Sequence, residues 1–354
     1  MNAGKALRHV AKEQWVRTHR GDETTNQTKE EEMKRIILMC LLSLGLLVSL
    51  NSNLVAADYP KKPVKLIINF SAGGTTDTAA RLMVSKAAEI VGQALVCMNK
   101  PGAGGTLGVS HVARAKNDGY TIGTCNMPAV AIIPQIREMP YKPFEDLTQI
   151  AAVMPYEYGI MVRGDSPWKT WEQFVDHIKK NPGKITYASP GTGTTNHLVT
   201  ARIGKVLGLD WKHVPFQGGV KETAALLGGH VDCINNTTAS VASSIKAGKI
   251  RVLMVTSEYR FSLCPDVPTM KEKGFDFSQI SYMSIIAPAG IPDTAKAKIE
   301  AAFKAAVEDK AVIKGTGKLD LHPKFMPGNE YEALLKKLAK EWGALLPELD
   351  VKIK

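Results

Sequence analysis

The sequence predicts an α/β protein of two similar domains, each built on a parallel-rich sheet flanked by helices. Three observations carry that prediction. Short apolar runs rich in β-branched residues alternate with helical patterns, the arrangement that yields helix-covered sheets. The same order of parts occurs twice along the chain. Two turns rich in glycine and hydroxyl groups, Phe70-Ser-Ala-Gly-Gly-Thr-Thr-Asp77 and Ser189-Pro-Gly-Thr-Gly-Thr-Thr-Asn-His197, hold matching places in the two halves.

Residues 64–69 form the first expected strand, because β-branched and apolar residues fill the run and a glycine pair follows it. A helix is expected from Thr78 to residue 90, where apolar residues recur at helical spacing. Strands at 94–98 and 120–124 and a helix at 106–115 complete the first set, with further strands at 150–153 and 158–162. The second set opens with a helix over 170–180, which Asn181-Pro-Gly183 stops. Strands at 185–188, 211–214, 231–234 and 250–255 then alternate with helices at 198–207, 221–227 and 241–246. Gly228-Gly229 ends the helix at 221–227. The tail adds a strand at 280–287 and long helices at 294–309 and 329–346. That strand is expected to return to the first sheet, so the first domain is discontinuous: 58–157 with 281–354, against 158–280 for the second.

Residues 1–57 stand outside this pattern. Met33-Lys-Arg35, an apolar run of 15 residues (36–50) and a small-residue stretch ending at Ala57 have the parts of a secretory signal peptide, cleaved before Asp58. The run is short for a membrane span. Cys40 lies at its start, not its end, which argues against a lipid-bearing cysteine. Residues 1–32 are polar and charged and read as an upstream extension of the signal at 33–57. The expected product is exported.

At 354 residues the chain has room for two domains with real cores, and 44% hydrophobic with 22% charged content suits a soluble globule. The net charge is +11, and residues 58–354 keep 37 Lys+Arg against 28 Asp+Glu, or +9. A basic surface favours encounter with anionic ligands. The lysines are scattered, with no basic run interleaved with aromatics, so no nucleic-acid partner is expected. Cys97, Cys125, Cys233 and Cys264 form no C-x-x-C pair, which indicates neither a zinc site nor a redox dithiol. They are expected to be free thiols, three of them in strand patterns where cysteine acts as a small buried hydrophobe. The chain has no G-x-S-x-G elbow, no H-E-x-x-H and no G-x-x-x-x-G-K-[ST] loop, and its histidines are dispersed. Catalysis, a metal and a cofactor are therefore not expected.

Each of the two Gly/Thr turns follows a strand and leads into a helix. A helix start offers unpaired backbone N–H groups and the positive end of the helix dipole, so it suits an anion. Two such turns in separate halves suggest a clamp that holds a small carboxylate from both sides, at the carboxyl ends of the strands.

An ordered set of motifs then resembles a known family. F-x-A-G-G-x-x-D-x-x-A-R from Phe70 to Arg81 is followed by Asn99-Lys-Pro-Gly-Ala-Gly-Gly105, Asp118-Gly-Tyr-Thr121 and Ser189-x-Gly-x-Gly-Thr194 with His197-Leu198. Val214-Pro-Phe-Gln-Gly218, Leu227-Gly-Gly-His-Val-Asp232, Pro265-Asp-Val-Pro-Thr269 and Ala287-Pro-Ala-Gly-Ile-Pro292 continue the series. This set resembles the Bug family of periplasmic solute receptors, the binding subunits of tripartite tricarboxylate transporters, across nearly all of residues 58–354. The resemblance implies a two-domain Venus-flytrap fold (type II periplasmic binding protein), a carboxylate or amino-acid ligand in the cleft, periplasmic residence, a monomer and no catalysis. It also implies delivery to membrane permease subunits, with presentation of the closed form to a sensor kinase as the alternative.

In the first turn, Phe70 leads, Ala72, Gly73 and Gly74 are expected to offer backbone to the ligand, and Thr75 and Thr76 add hydroxyls. Asp77 either braces the helix start by accepting backbone N–H groups or holds a ligand ammonium; the brace is preferred, with an ion pair to Arg81. Ser189, Gly191, Thr192, Gly193 and Thr194 supply the second half of the clamp. His197 either reaches the cleft or fixes its own loop by a hydrogen bond. Asn126 and Asn236, after strands of the two domains, bring amides to the cleft. Gly102-Ala-Gly-Gly105 reads as a turn near the cleft rim.

Overall fold

The computed structural model describes residues 59–279 and 281–349, with Met33 and Met39. The apolar run at 36–50 and the cleavage site before Asp58 lie outside the described residues. The chain divides into two compact units, 1–59 and 60–354, and the second holds every strand described here.

The chain first forms β1 (Val64–Ile68), α1 (Thr75–Val91), β2 (Leu95–Asn99), α2 (Thr106–Ala113), β3 (Thr121–Asn126), α3 (Met127–Ala131), α4 (Ile133–Ile136) and β4 (Leu147–Pro155). It crosses at Tyr156 and Glu157 to β5 (Tyr158–Arg163), α5 (Trp171–Lys180), β6 (Ile185–Ser189), α6 (Thr195–Leu207) and β7 (Trp211–Pro215). Then come α7 (Gly219–Leu227), β8 (Cys233–Thr237), α8 (Ala242–Lys246) and β9 (Ile250–Val255). Residues 256–281 lead back to β10 (Tyr282–Pro288), α9 (Asp293–Glu308), α10 (Lys310–Gly317), β11 (Met326–Pro327) and α11 (Gly328–Leu345).

Two helix-flanked sheets result. The six-stranded sheet has the order β11-β4-β10-β3-β1-β2, and the five-stranded sheet β7-β6-β8-β5-β9. Each is mixed. β1 pairs in parallel with β2 and β3, and β6 with β7 and β8. The strands next to the two crossovers run antiparallel: β10 with β3 and β4, and β5 with β8 and β9. Each sheet with its helices makes one lobe.

The parallel halves position the functional loops. Parallel neighbours end on the same edge of their sheet, so the turns leaving β1 and β3 gather at one edge of the first lobe. Those leaving β6 and β7 gather at one edge of the second. The strands are anchored by apolar burial: Val64, Leu66, Ile67 and Ile68 of β1 are all fully buried. At about 1.5–3 kcal/mol for each such side chain, this burial far outweighs any single hydrogen bond in the loops.

Three local differences from the sequence expectation bear on the site. α1 starts at Thr75 rather than Thr78, which places Thr75, Thr76 and Asp77 in its first turn. β8 runs to Thr237, so Asn235 and Asn236 lie within a strand, not after it. α10 and the two-residue β11 were not anticipated; Gly315 and Gly317 weaken the helical signal of α10. Among the described residues, no helix is long and apolar enough to cross a membrane. Cys97, Cys125, Cys233 and Cys264 are free thiols.

Candidate functional site

A cavity with about 500 Å³ of free space lies where loops of the two lobes meet. The first lobe contributes Phe70, Ser71, Gly74, Thr75 and Thr76 from the β1–α1 turn and Asn126 from the end of β3. Tyr156 and Tyr158 line it from the first crossover. The second lobe contributes Pro190, Asn196, Gly219, Val220, Asn236, Thr237 and Ser240. Among the described residues, no Asp, Glu, Lys, Arg or His side chain lines this cavity.

Two helix starts address it. α1 begins after Gly74, whose extended backbone (φ −77°, ψ 170°) and missing side chain leave the first N–H groups without a side-chain cap. α7 begins after Gly218 and likewise has no side-chain cap. The positive ends of both dipoles are thus directed at one uncharged chamber. Asn126 adds a buried amide whose oxygen has no partner among the described residues.

The β1–α1 turn is braced from behind. Asp77 accepts the Gly73 N–H at 2.9 Å, the Arg81 Nε–H at 2.8 Å and the Asn99 amide at 2.9 Å. Asn99 also donates to the Phe70 carbonyl at 3.0 Å. Burial pushes the Asp77 carboxyl up, but the Gly73, Asn99 and Arg81 donors outweigh it and hold its pKa below the usual carboxylate value. Its oxygens are engaged by the turn, so Asp77 shapes the cavity without lining it. Asn236 braces the other helix start, donating to the Gly219 carbonyl and the Thr223 hydroxyl, each at 3.1 Å.

The Ser189–His197 turn is organised differently. Ser189 Oγ lies 2.7 Å from His213 Nε2 and donates to the Gly191 carbonyl at 3.0 Å. The Thr194 hydroxyl donates to the same carbonyl at 2.7 Å and caps α6 by accepting the His197 N–H. His197 Nδ1 accepts the Gly193 N–H at 3.2 Å, and its ring stacks on His213 with centroids 3.7 Å apart. Burial lowers the His197 pKa to about 4, and burial with the neighbouring His197 lowers His213 to about 3, so both rings stay neutral near pH 7. His197 therefore fixes its own loop.

The glycines of this turn meet backbone rather than cavity. A Cβ at Gly191 (φ +154°) would lie 3.3 Å from the Cα and N of Gly104, and one at Gly104 (φ +68°) 3.4 Å from the Thr192 carbonyl oxygen. Only residues without side chains let the two loops approach this closely. Across the cavity mouth, the Thr75 and Thr237 hydroxyls are 2.5 Å apart, and Ser71 Oγ donates to the Gln217 carbonyl at 3.0 Å.

Of the residues singled out from the sequence, the structure brings Phe70, Gly74, Thr75, Thr76, Asn126 and Asn236 to the cavity wall. Ala72, Gly73, Asp77, Ser189, Gly191, Thr192, Gly193, Thr194 and His197 do not line it. Gly219 and Val220 were not among the expected residues, although Gly218-Gly219 also stands between a strand and a helix and carried the same signal. Tyr156 and Tyr158 had no local signal, because only the crossover between sheets brings them to the cleft.

The profile of the tripartite tricarboxylate transporter family receptor matches residues 79–351. The chain belongs to that receptor family. It is 35% identical to a protein of Cupriavidus necator, the UPF0065 protein in the gbd 5′ region, over 83% of this chain and 89% of that one. The periplasmic binding protein BugD has a similar structure, with a TM-score of 0.79 and 30% identity over 84% of this chain and all of that one. MatC from Rhodopseudomonas palustris, solved with bound malate, gives a TM-score of 0.75 and 25% identity over 81% of this chain and 99% of that one. Members of the tripartite tricarboxylate transporter receptor family are periplasmic solute-binding proteins, not enzymes. Among the described residues, no three His, Cys, Asp or Glu side chains gather where they could hold a metal.

Proposed function

We propose that the protein captures a small carboxylate in the interlobe cavity and delivers it to membrane permease subunits from the periplasm. The observation that carries this reading is the meeting of two uncapped helix starts, those of α1 and α7, in a chamber without charged side chains. A carboxylate there accepts charge-assisted bonds from backbone N–H groups and hydroxyls, at about 1.5–3 kcal/mol each. The dipoles add about 0.3–1 kcal/mol apiece, so the direct bonds decide affinity. An ammonium group finds no counter-charge in the walls, since Asp77 is engaged with Gly73, Arg81 and Asn99. The malate bound in the structurally similar MatC supports the same ligand class.

On this reading residues 33–57 direct export. Residues 58–157 with 281–354 and residues 158–280 are the two moving bodies, and ligand favours closure because only the closed arrangement engages both helix starts. The test is calorimetric titration of the protein from Asp58 onward, stripped of solute by unfolding and refolding, against malate, succinate, citrate, glutamate and benzoate. Tight one-to-one binding of a carboxylate is expected. The variant Gly74→Leu should lose it with its circular dichroism unchanged, because a Cβ at Gly74 already lies 4.0 Å from Val220 Cγ2 across the cleft. Absence of binding to every carboxylate, or full affinity in Gly74→Leu, rejects the reading.

A further inference from the structure

A second chamber adjoins the inner cavity, and Thr75 and Ser240 line both. It encloses about 700 Å³ of free space. One wall is the start of α1 with the turn at 318–321 after α10; the other is residues 239–246 of the second lobe. Each wall contributes one lysine, Lys318 from the first lobe and Lys246 from the second, and Thr78 and Ser243 add hydroxyls. Among the described residues, neither lysine takes part in an ion pair. No carboxylate lines the chamber. The nearest in sequence, Asp320, is turned to the Ser262 hydroxyl and the Leu263 N–H.

We infer that this outer chamber is a second anion subsite, which holds a further carboxylate of a ligand whose first carboxylate sits at the start of α1. The inference rests on the carboxylate reading of the inner cavity and narrows its ligand class to di- and tricarboxylates. The inner cavity is lined without charge and recognises one carboxylate through dipoles and hydrogen bonds. A second anionic group that reaches past Thr75 meets two ammonium groups with no competing acid. The lysines belong to opposite lobes, so an anion between them also favours the closed arrangement over the open one. Both side chains are exposed, so the gain is modest and falls with salt.

The experiment compares wild type with Lys246→Gln/Lys318→Gln by calorimetry, using citrate, succinate and, as a one-carboxylate control, butyrate. In parallel, acetylation of Lys246 and Lys318 in wild type is followed by mass spectrometry with and without citrate. The double variant is expected to lose about ten-fold in affinity for citrate and succinate and less than about two-fold for butyrate. Citrate is expected to slow acetylation of both lysines but not of the remote Lys337. Citrate binding that the double substitution leaves unchanged, or that leaves both lysines fully reactive, overturns the second subsite and leaves the inner site standing. If none of the three acids binds wild type and the lysines stay unprotected, the carboxylate reading falls and this subsite falls with it.

Discussion

Thr75, in the first turn of α1, and Thr237, at the end of β8, share a 2.5 Å contact between hydroxyls although 162 positions separate them. They belong to different lobes, and both line the inner cavity. The contact is therefore a latch across the mouth of the binding site. Thr237→Val keeps the shape and removes the hydroxyl. One neutral hydrogen bond contributes about 0.5–1.5 kcal/mol net, so ligand affinity should fall roughly 2- to 10-fold. Calorimetry checks this, with an unchanged melting temperature expected because neither lobe loses an internal bond. Unaltered affinity would show that the latch does not contribute to closure.

Gly219 tests the helix start that the second lobe brings to the cavity. A Cβ there would lie 2.9 Å from both polar atoms of the Asn236 amide. The amide is the end of a side chain and can swing aside, so Gly219→Ala should fold normally. Its displacement breaks the bonds to the Gly219 carbonyl and Thr223 hydroxyl and pushes the amide into the cavity. Affinity should fall by about ten-fold or more, the equivalent of one to two hydrogen bonds. Wild-type affinity in this variant would remove the α7 start from the site.

Asp77 gives a pH signature. Its folded-state pKa lies below the ordinary carboxylate value because the Gly73 N–H, Asn99 and Arg81 outweigh the effect of burial. A lowered folded pKa means stability that is present above the unfolded value and lost as pH falls through the folded one. Wild type should therefore lose melting temperature steeply below about pH 4, and Asp77→Asn should show a shallower fall in that window. Ligand affinity at neutral pH should also drop in Asp77→Ala, because the turn from Phe70 to Gly74 loses its brace. Parallel acid profiles for wild type and Asp77→Asn would contradict the assignment.

Glu222, in the first turns of α7, is fully buried, and neither carboxyl oxygen has a partner among the described residues. Burial pushes its pKa well above the usual range. The sign is opposite to that of Asp77: the stability it permits is complete at low pH and is lost as pH rises through the raised folded value. Glu222→Met fills the same space without polar atoms. It should stabilise the fold by about 1–3 kcal/mol, with the gain in melting temperature larger at pH 8 than at pH 5. A destabilised variant would point to a water or other partner satisfying the carboxyl.

Much of the architecture was legible because its signals are local. β1 and β6 could be read from apolar β-branched runs, and α5 from its helical spacing and the Asn-Pro-Gly stop. The β1–α1 turn was recognised as a helix start because a glycine pair after a strand has few other uses. What composition cannot distinguish is the thing a glycine makes room for. Gly73 and Gly74 open a helix beside the cavity, whereas Gly191 opens space for Gly104 of the other lobe. The same residue type in the same kind of turn serves two purposes, and only the topology separates them. Tyr156 and Tyr158 illustrate the same limit: each is an unremarked aromatic in the sequence until the crossover brings it to the cleft.

The contact between Gly104 and Gly191 also fixes how far the jaws can shut. A calliper reads size from the point where its jaws stop, and here the stop consists of two absent side chains. A methyl group on Gly191 would press on the Gly104 backbone at 3.3 Å and prop the jaws ajar by a set amount. The gauge for ligand size thus sits at a place the ligand never touches, and evolution could recalibrate it without altering a single binding residue.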